Sequence, residues 1–159
     1  MRKINKIVIH CTAGFGSIES MKKFWHQKLG WRSPGYHLVV DLDGKIHEVH
    51  PLEKPSNGVK GHNGDSIHIS YIGGVDQNNY TIAKDTRTEE QKSSLIVCIF
   101  YVIGYLLQHQ SEMPMINGHR DFSPDQDGDG VIAAWERIKE CPSFDAISEY
   151  NWIVDSFKR

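Results

Sequence analysis

The longest apolar run in the chain, Leu95 to Leu107, is 13 residues long and includes Gly104. As an α-helix it would span about 20 Å, against about 30 Å of hydrocarbon in a bilayer. Such a segment has to bury itself inside its own domain. Thr88-Glu89-Glu90-Gln91 just ahead of it has the spacing of a capping box, which starts this core helix and carries it to near Gln110. What it packs against is also visible. Lys6 to His10 and Ser66 to Ile72 are short and β-branched, Met115 to Asn117 is a shorter run of the same kind, and Tyr36–Asp41 and Lys45–His50 flank Asp43-Gly44. That pair suits a type I′ turn, so the two flanking runs are predicted to form a hairpin. Two further helices are predicted. One runs from Ile18 to Leu29, capped by Ser17, with Ile18, Met21, Trp25 and Leu29 inward. The other runs from Phe144 to Lys158, with Ile147, Tyr150, Ile153, Val154 and Phe157 inward. Strands mixed with covering helices imply an α/β fold, a mixed β-sheet flanked by helices, and 159 residues without repeat or linker make it one domain, 1–159.

Lysine and arginine number 18 against 20 acids, a net charge of −2, so no basic excess draws the chain to nucleic acid or an anionic membrane. The expected state is a monomer. Three cysteines do not make a disulfide framework. The N-terminal residues lack the apolar stretch of a secretory signal, so synthesis in a reducing cytoplasm is expected. Nine histidines are many for this length, and they direct attention to metal chemistry.

Imidazole and thiolate are the ligand types that zinc favours. Gly118-His119-Arg120-Asp121 and Lys139-Glu140-Cys141-Pro142 offer one of each, and the first strand ends in His10-Cys11-Thr12. Strand alternation puts His10 and Cys11 on opposite faces, so they should not share a metal. Cys98, mid-way along the core helix, reads as a small hydrophobe, as does Cys11.

Six segments then occur in order: Val8-Ile9-His10-Cys11-Thr12-Ala13, Gly30-Trp31 through Gly35-Tyr36-His37, Gly61-His62-Asn63 through Ser66-Ile67, Gly73-Gly74, Gly118-His119-Arg120-Asp121 and Lys139 to Asp145. Together they resemble the type 2 N-acetylmuramoyl-L-alanine amidases, a zinc family that includes amidase-type phage lysozymes and is related to the peptidoglycan recognition proteins. The resemblance implies a zinc site at the floor of an open groove, with His10, His119 and Cys141 as ligands and Tyr36 and Lys139 as catalytic residues. The implied reaction is hydrolysis of the amide between N-acetylmuramic acid and L-alanine in peptidoglycan, with action on the cell wall. A peptidoglycan-binding module without catalysis, or an amidase fold that regulates a protein partner, are the alternatives.

The chain departs from the family pattern in places. His62 stands where an aromatic is frequent, and His68 interrupts a strand that is usually more apolar. His62 and Asn63 are candidates for substrate binding, and His68 reads as a groove residue or a partly exposed strand histidine. His37 is expected to support the ligands from behind or to be structural, and His26, His47, His50 and His109 to be on the surface. The larger departure is an insertion at about 122–138. Asp125, Asp127, Asp129, Gly130, Val131 and Glu136 fall at positions 1, 3, 5, 6, 7 and 12 of the twelve-residue calcium-loop pattern. Ser123-Pro124 leaves no room for the usual entering helix. Calcium is therefore a second candidate metal, with an acidic turn capping a helix that starts near Ala133 as the plainer reading. If that helix forms, Glu136 fixes the turn that presents Lys139 and Cys141.

Overall fold

A computed structural model describes residues 2–158. Five strands form one sheet in the order β3-β2-β4-β1-β5: β1 (Lys6–Cys11), β2 (Leu38–Val40), β3 (Ile46–Glu48), β4 (Ser66–Tyr71) and β5 (Met115–Gly118). β1 runs parallel to β4 on one edge and to β5 on the other, β2 runs parallel to β4, and β3 returns antiparallel to β2. The mixed sheet is as expected. The hairpin turn is not. Of its residues only Gly44 has positive φ, at +82°, so the turn is not type I′. Instead the Asp41 carboxylate accepts the Asp43 and Lys45 amides and closes a longer loop.

Period-two alternation gives this sheet two unlike faces. Ile7, Ile9 and Cys11 of β1, Ile67, Ile69 and Tyr71 of β4, and Leu38 and Val40 of β2 belong to one apolar core. Helix α2 (Glu89–Leu107) covers them with Leu95, Cys98, Ile99, Val102, Ile103 and Leu106, and α3 (Ala146–Asp155) adds Tyr150, Ile153 and Val154. Among the described residues only α2 is long and apolar enough to cross a membrane; one side of it is buried in the core, while Val97, Tyr101 and Leu107 are exposed. It starts where the capping box places it, with Thr88 Oγ1 accepting the Gln91 amide and Gln91 Oε1 the Thr88 amide. α1 is shorter than the pattern implies. It spans Ile18–Lys23 and continues as a π-helical turn, Phe24–Lys28, which buries Trp25 but leaves Leu29 42% exposed.

The opposite face is buried too, yet it is polar. His10, Ser66, His68 and Ser70 lie on it, with His37 at the edge of β2, and all are 1% exposed or less. His68 is thus not a partly exposed strand residue. Polar groups survive burial when their hydrogen bonds are made. His37 Nδ1 accepts the His68 amide at 2.9 Å, and its Nε2 donates to the Lys54 carbonyl at 2.9 Å. Of the histidines read as surface, His26 and His109 are exposed, whereas His47 and His50 are half-buried, the first paired with Asp41 at 2.8 Å and the second with the Pro55 carbonyl at 3.1 Å.

The insertion differs from its helical reading. Only a 3₁₀ turn, Ala134–Glu136, follows the acidic loop, and no helix carries Glu136 toward Lys139. The reason is local. The Glu136 carboxylate is buried, and its two oxygens accept the Gln126 amide at 2.6 Å and the Ala133 amide at 2.7 Å, folding the chain back on itself.

Burial chiefly holds His37 down to about 4, from an ordinary 6.5, and holds His10 and His68 well below that ordinary value. The native protein therefore keeps these rings neutral at pH values where the unfolded chain protonates them. Where the unfolded state binds more protons, stability falls as the pH is lowered. The urea midpoint of metal-free protein should fall steadily from about pH 6.5 toward pH 4.5, with a slope of more than one proton. A flat midpoint over that range would mean the rings are not held neutral by the fold.

Candidate metal centre

The two strands flanking β1 explain how distant residues meet. His10 is the fifth residue of β1 and sits on the polar face. β5 lies beside β1 with Gly118 opposite Ile9, so the residue after it, His119, emerges next to His10. The two rings lie 4.9 Å apart, nearly edge to face. His119 opens a 3₁₀ turn, His119–Phe122, which the Asp121 carboxylate caps by accepting the Gly118 amide at 2.6 Å. Gly118 must be small: a Cβ there would sit 2.6 Å from Pro142 Cδ.

Cys141 arrives on a loop rather than a strand. The Arg120 amide donates to the Cys141 carbonyl at 2.7 Å, the Tyr71 hydroxyl to the Pro142 carbonyl at 2.7 Å, and Ser143 Oγ to the Gly74 carbonyl at 2.7 Å. Ser143 takes a φ of +72° in this tether. Three bonds from three elements thus fix the loop, and the Cys141 sulfur receives the Cys11 amide at 3.2 Å.

His10, His119 and Cys141 consequently place one ligand atom each within 4.8 Å of one another. The His10 atom facing the sulfur is Nδ1, at 3.8 Å. With Zn–N near 2.0 Å and Zn–S near 2.3 Å, a tetrahedral centre sets its ligand atoms roughly 3.3–3.6 Å apart. The His10–Cys141 pair is within a few tenths of an ångström of that separation, and Cys11 lies outside the group as strand alternation predicts. The electrostatics suit a cation. Burial, then the Lys139 charge, holds His119 down to about 4, so both imidazoles are neutral, as ligands must be. Burial pushes the Cys141 thiol up; a bound dication would deprotonate it.

Tyr36 packs beside this centre, its ring 5.0 Å from that of His10 and its hydroxyl donating to the Cys11 carbonyl at 3.4 Å. Trp25 supports it from behind at 5.4 Å, edge to face. Burial pushes the phenol up, so it stays protonated. Lys139 is exposed and lines a groove of about 520 Å³ together with His119, Trp31, Lys60, Phe122 and Asn63. Asn63 shapes the wall by accepting the Val59 amide at 2.8 Å, while the His62 ring packs at a tilt against Phe122, 4.7 Å between centroids.

The acidic loop stands apart. Among the described residues Asp125, Asp127 and Glu136 place carboxylate oxygens within 4.8 Å of one another, and Asp129 is not in that group. Its carboxylate accepts the Val131 amide at 2.8 Å instead. Sequence reasoning also missed that His68 touches His10, at 3.0 Å. Alternation puts both on one face, and parallel pairing sets His10 opposite Ser70, two residues beyond His68. The pairing was not visible in the sequence.

Comparison with known proteins agrees with this architecture. An uncharacterized protein of Haemophilus influenzae is 34% identical over 112 residues, covering 70% of this chain and 88% of that protein. The endolysin of Klebsiella phage KP32 is 26% identical over 148 residues, 91% of this chain and 83% of its own. Among solved structures, the N-acetylmuramoyl-L-alanine amidase LysC from Clostridium intestinale superposes with a TM-score of 0.66, covering 98% of this chain and 85% of that one. At 21% identity that likeness speaks to the fold. Residues 1–143, which hold the sheet and all three candidate ligands, match the family described as N-acetylmuramoyl-L-alanine amidase, and the chain belongs to that family.

Proposed function

We propose that the protein is a zinc amidase that cleaves the amide between the lactyl group of N-acetylmuramic acid and the L-alanine of the stem peptide, acting on cell-wall peptidoglycan. The observation that carries this reading is the convergence of His10, His119 and Cys141 at one point of the groove, with Lys139 and Tyr36 beside it. Zinc held by these three residues would supply Lewis acidity, lowering the pKa of water from 15.7 to about 7 and polarising the amide carbonyl. The chain's own groups do the rest. The Lys139 ammonium stabilises negative charge as it develops on the carbonyl oxygen. Tyr36, held as a phenol by burial, donates a hydrogen bond that orients the attacking water or assists departure of the amine. Trp31, Lys60 and Asn63 offer an aromatic face, a cation and a polar wall for the substrate.

The same reading extends to calcium at the acidic loop, with Asp125, Asp127 and Glu136 as the nearest oxygens. Asp129 and the Val131 carbonyl would complete the set only after Asp129 gives up its bond to the Val131 amide. The link to the zinc centre is not helical. It runs through the Ile138 amide, which donates to Ser123 Oγ at 3.0 Å and closes the neck of the loop one residue before Lys139.

Activity is tested by release of new L-alanine amino termini from purified sacculi. His10→Ala, His119→Ala and Cys141→Ala should lose zinc and activity together. Lys139→Ala should keep zinc and lose about 10²–10³-fold in kcat, and Tyr36→Phe about 10²-fold. Sacculi bound without product by zinc-loaded wild type would make the chain a binding module. Binding to a protein partner but not to sacculi would make it a regulator.

Calcium at 100 times its Kd should raise the melting temperature of wild type by about 5–10 °C. Asp127→Asn should abolish that rise and leave the calcium-free melting temperature near that of wild type. Equal melting at every calcium concentration, with no heat of binding in calorimetry, would leave the loop an acidic turn.

A further inference from the structure

We infer that His68 is the positioning residue for the metal ligand His10, and that Gly58 is a glycine because the His68 ring occupies the space of its side chain. The inference rests on the metal-centre reading but not on the hydrolytic one.

His10 faces Cys141 through Nδ1, at 3.8 Å, and faces His68 Nδ1 through Nε2, at 3.0 Å. A neutral imidazole has one N–H and one acceptor nitrogen. For His10 Nδ1 to be a ligand, the proton must be on Nε2, and His68 Nδ1 must accept it. This settles the tautomer of His68 as well, whose proton is then on its own Nε2. Ligand histidines generally hold their ring by donating the second N–H to a carboxylate, a carbonyl or water; here another imidazole takes that part.

The support behind His68 is rigid. Its amide donates to His37 Nδ1 at 2.9 Å, and its carbonyl accepts the His37 amide at 2.9 Å. The two rings are nearly parallel, 14° apart. Ring space comes from Gly58. A Cβ there would fall 2.3 Å from His68 Cγ and Nδ1, far inside contact distance, and Gly58 does not adopt the positive φ that would otherwise explain a glycine. His68 Nε2, buried, has no protein partner among the described residues. Among the described residues the only side-chain hydrogen bond this fully buried histidine makes is to His10, and burying its other polar atom opposes folding. A leucine or valine would fill the site at lower cost. The bond to His10 is what the histidine adds.

Two substitutions separate this role from packing. Asparagine carries its Oδ1 on Cγ, as histidine carries Nδ1, so His68→Asn keeps an acceptor near the same place; His68→Leu fills volume without one. Zinc affinity of the metal-free proteins is read by competition with a chromophoric chelator. His68→Leu should bind zinc about 10–100-fold more weakly, and His68→Asn within about 3-fold of wild type. If His68→Leu does not fold, Gly58→Ala, which displaces the ring while retaining the histidine, should show the same 10–100-fold loss. Long-range nitrogen NMR of zinc-loaded wild type should find the protons of His10 and His68 on Nε2. Unchanged affinity in the leucine or alanine variant, equal losses in the leucine and asparagine variants, or a proton on His10 Nδ1 would overturn the assignment. Wild type that takes up no zinc removes the metal centre and this inference with it. Wild type that binds zinc tightly but releases no L-alanine termini removes only the hydrolytic reading.

Discussion

β1 is paired in parallel on both of its edges, and the rest of the molecule follows from that constraint. A parallel strand needs a long crossover to reach its neighbour, so β4 and β5 enter from far along the chain and end at the same edge of the sheet as β1. Their ends bring His10, Tyr71, Gly118 and then His119 to one edge, where the Cys141 loop is hung by bonds to Arg120 and Tyr71. Residues 131 positions apart meet at 3.8 Å without any α-helix between His119 and Cys141 to carry them.

The sheet then divides its labour by face. One face is wholly apolar and supplies the burial that drives folding. The other holds histidines and serines away from water, which opposes folding unless each polar group is paired. His68 is set between His10 and His37 by such bonds, whereas Ser66 Oγ, Ser70 Oγ and His68 Nε2 have no partner among the described residues. Arg87 performs a related task at the far side of the Cys141 loop. Its guanidinium lies 3.3 Å over the Phe144 ring, forks onto Glu149 and Asp85, and donates to the Tyr150 hydroxyl. The side chain is 2% exposed, so this is not one of the surface ion pairs that contribute little. It ties the residue three beyond Cys141 to α3 and to the loop before α2.

Much of the architecture could be read from the residues. The apolar run and its capping box placed α2 within about three residues at its far end, because both signals are local. The family resemblance of the six motif segments pointed to His10, His119 and Cys141, the three candidate ligands that the fold brings together. Errors arose wherever a side chain found a partner that local pattern does not name. Glu136 turned back to amides at 126 and 133 in place of starting a helix, Asp129 bonded Val131, and Asp41 reshaped the turn at Asp43-Gly44.

Sequence alone determined the element types, the apolar face and the set of residues able to bind a metal, because periodicity and residue chemistry are carried by the chain itself. Tertiary structure alone decided which strand lies beside which, and hence that His68 meets His10, that Gly58 and Gly118 must be small, and that Lys139 shares a groove with Trp31 and Lys60. Register between strands separated by tens of residues is set by the packing of the whole sheet, and no local window of sequence contains it.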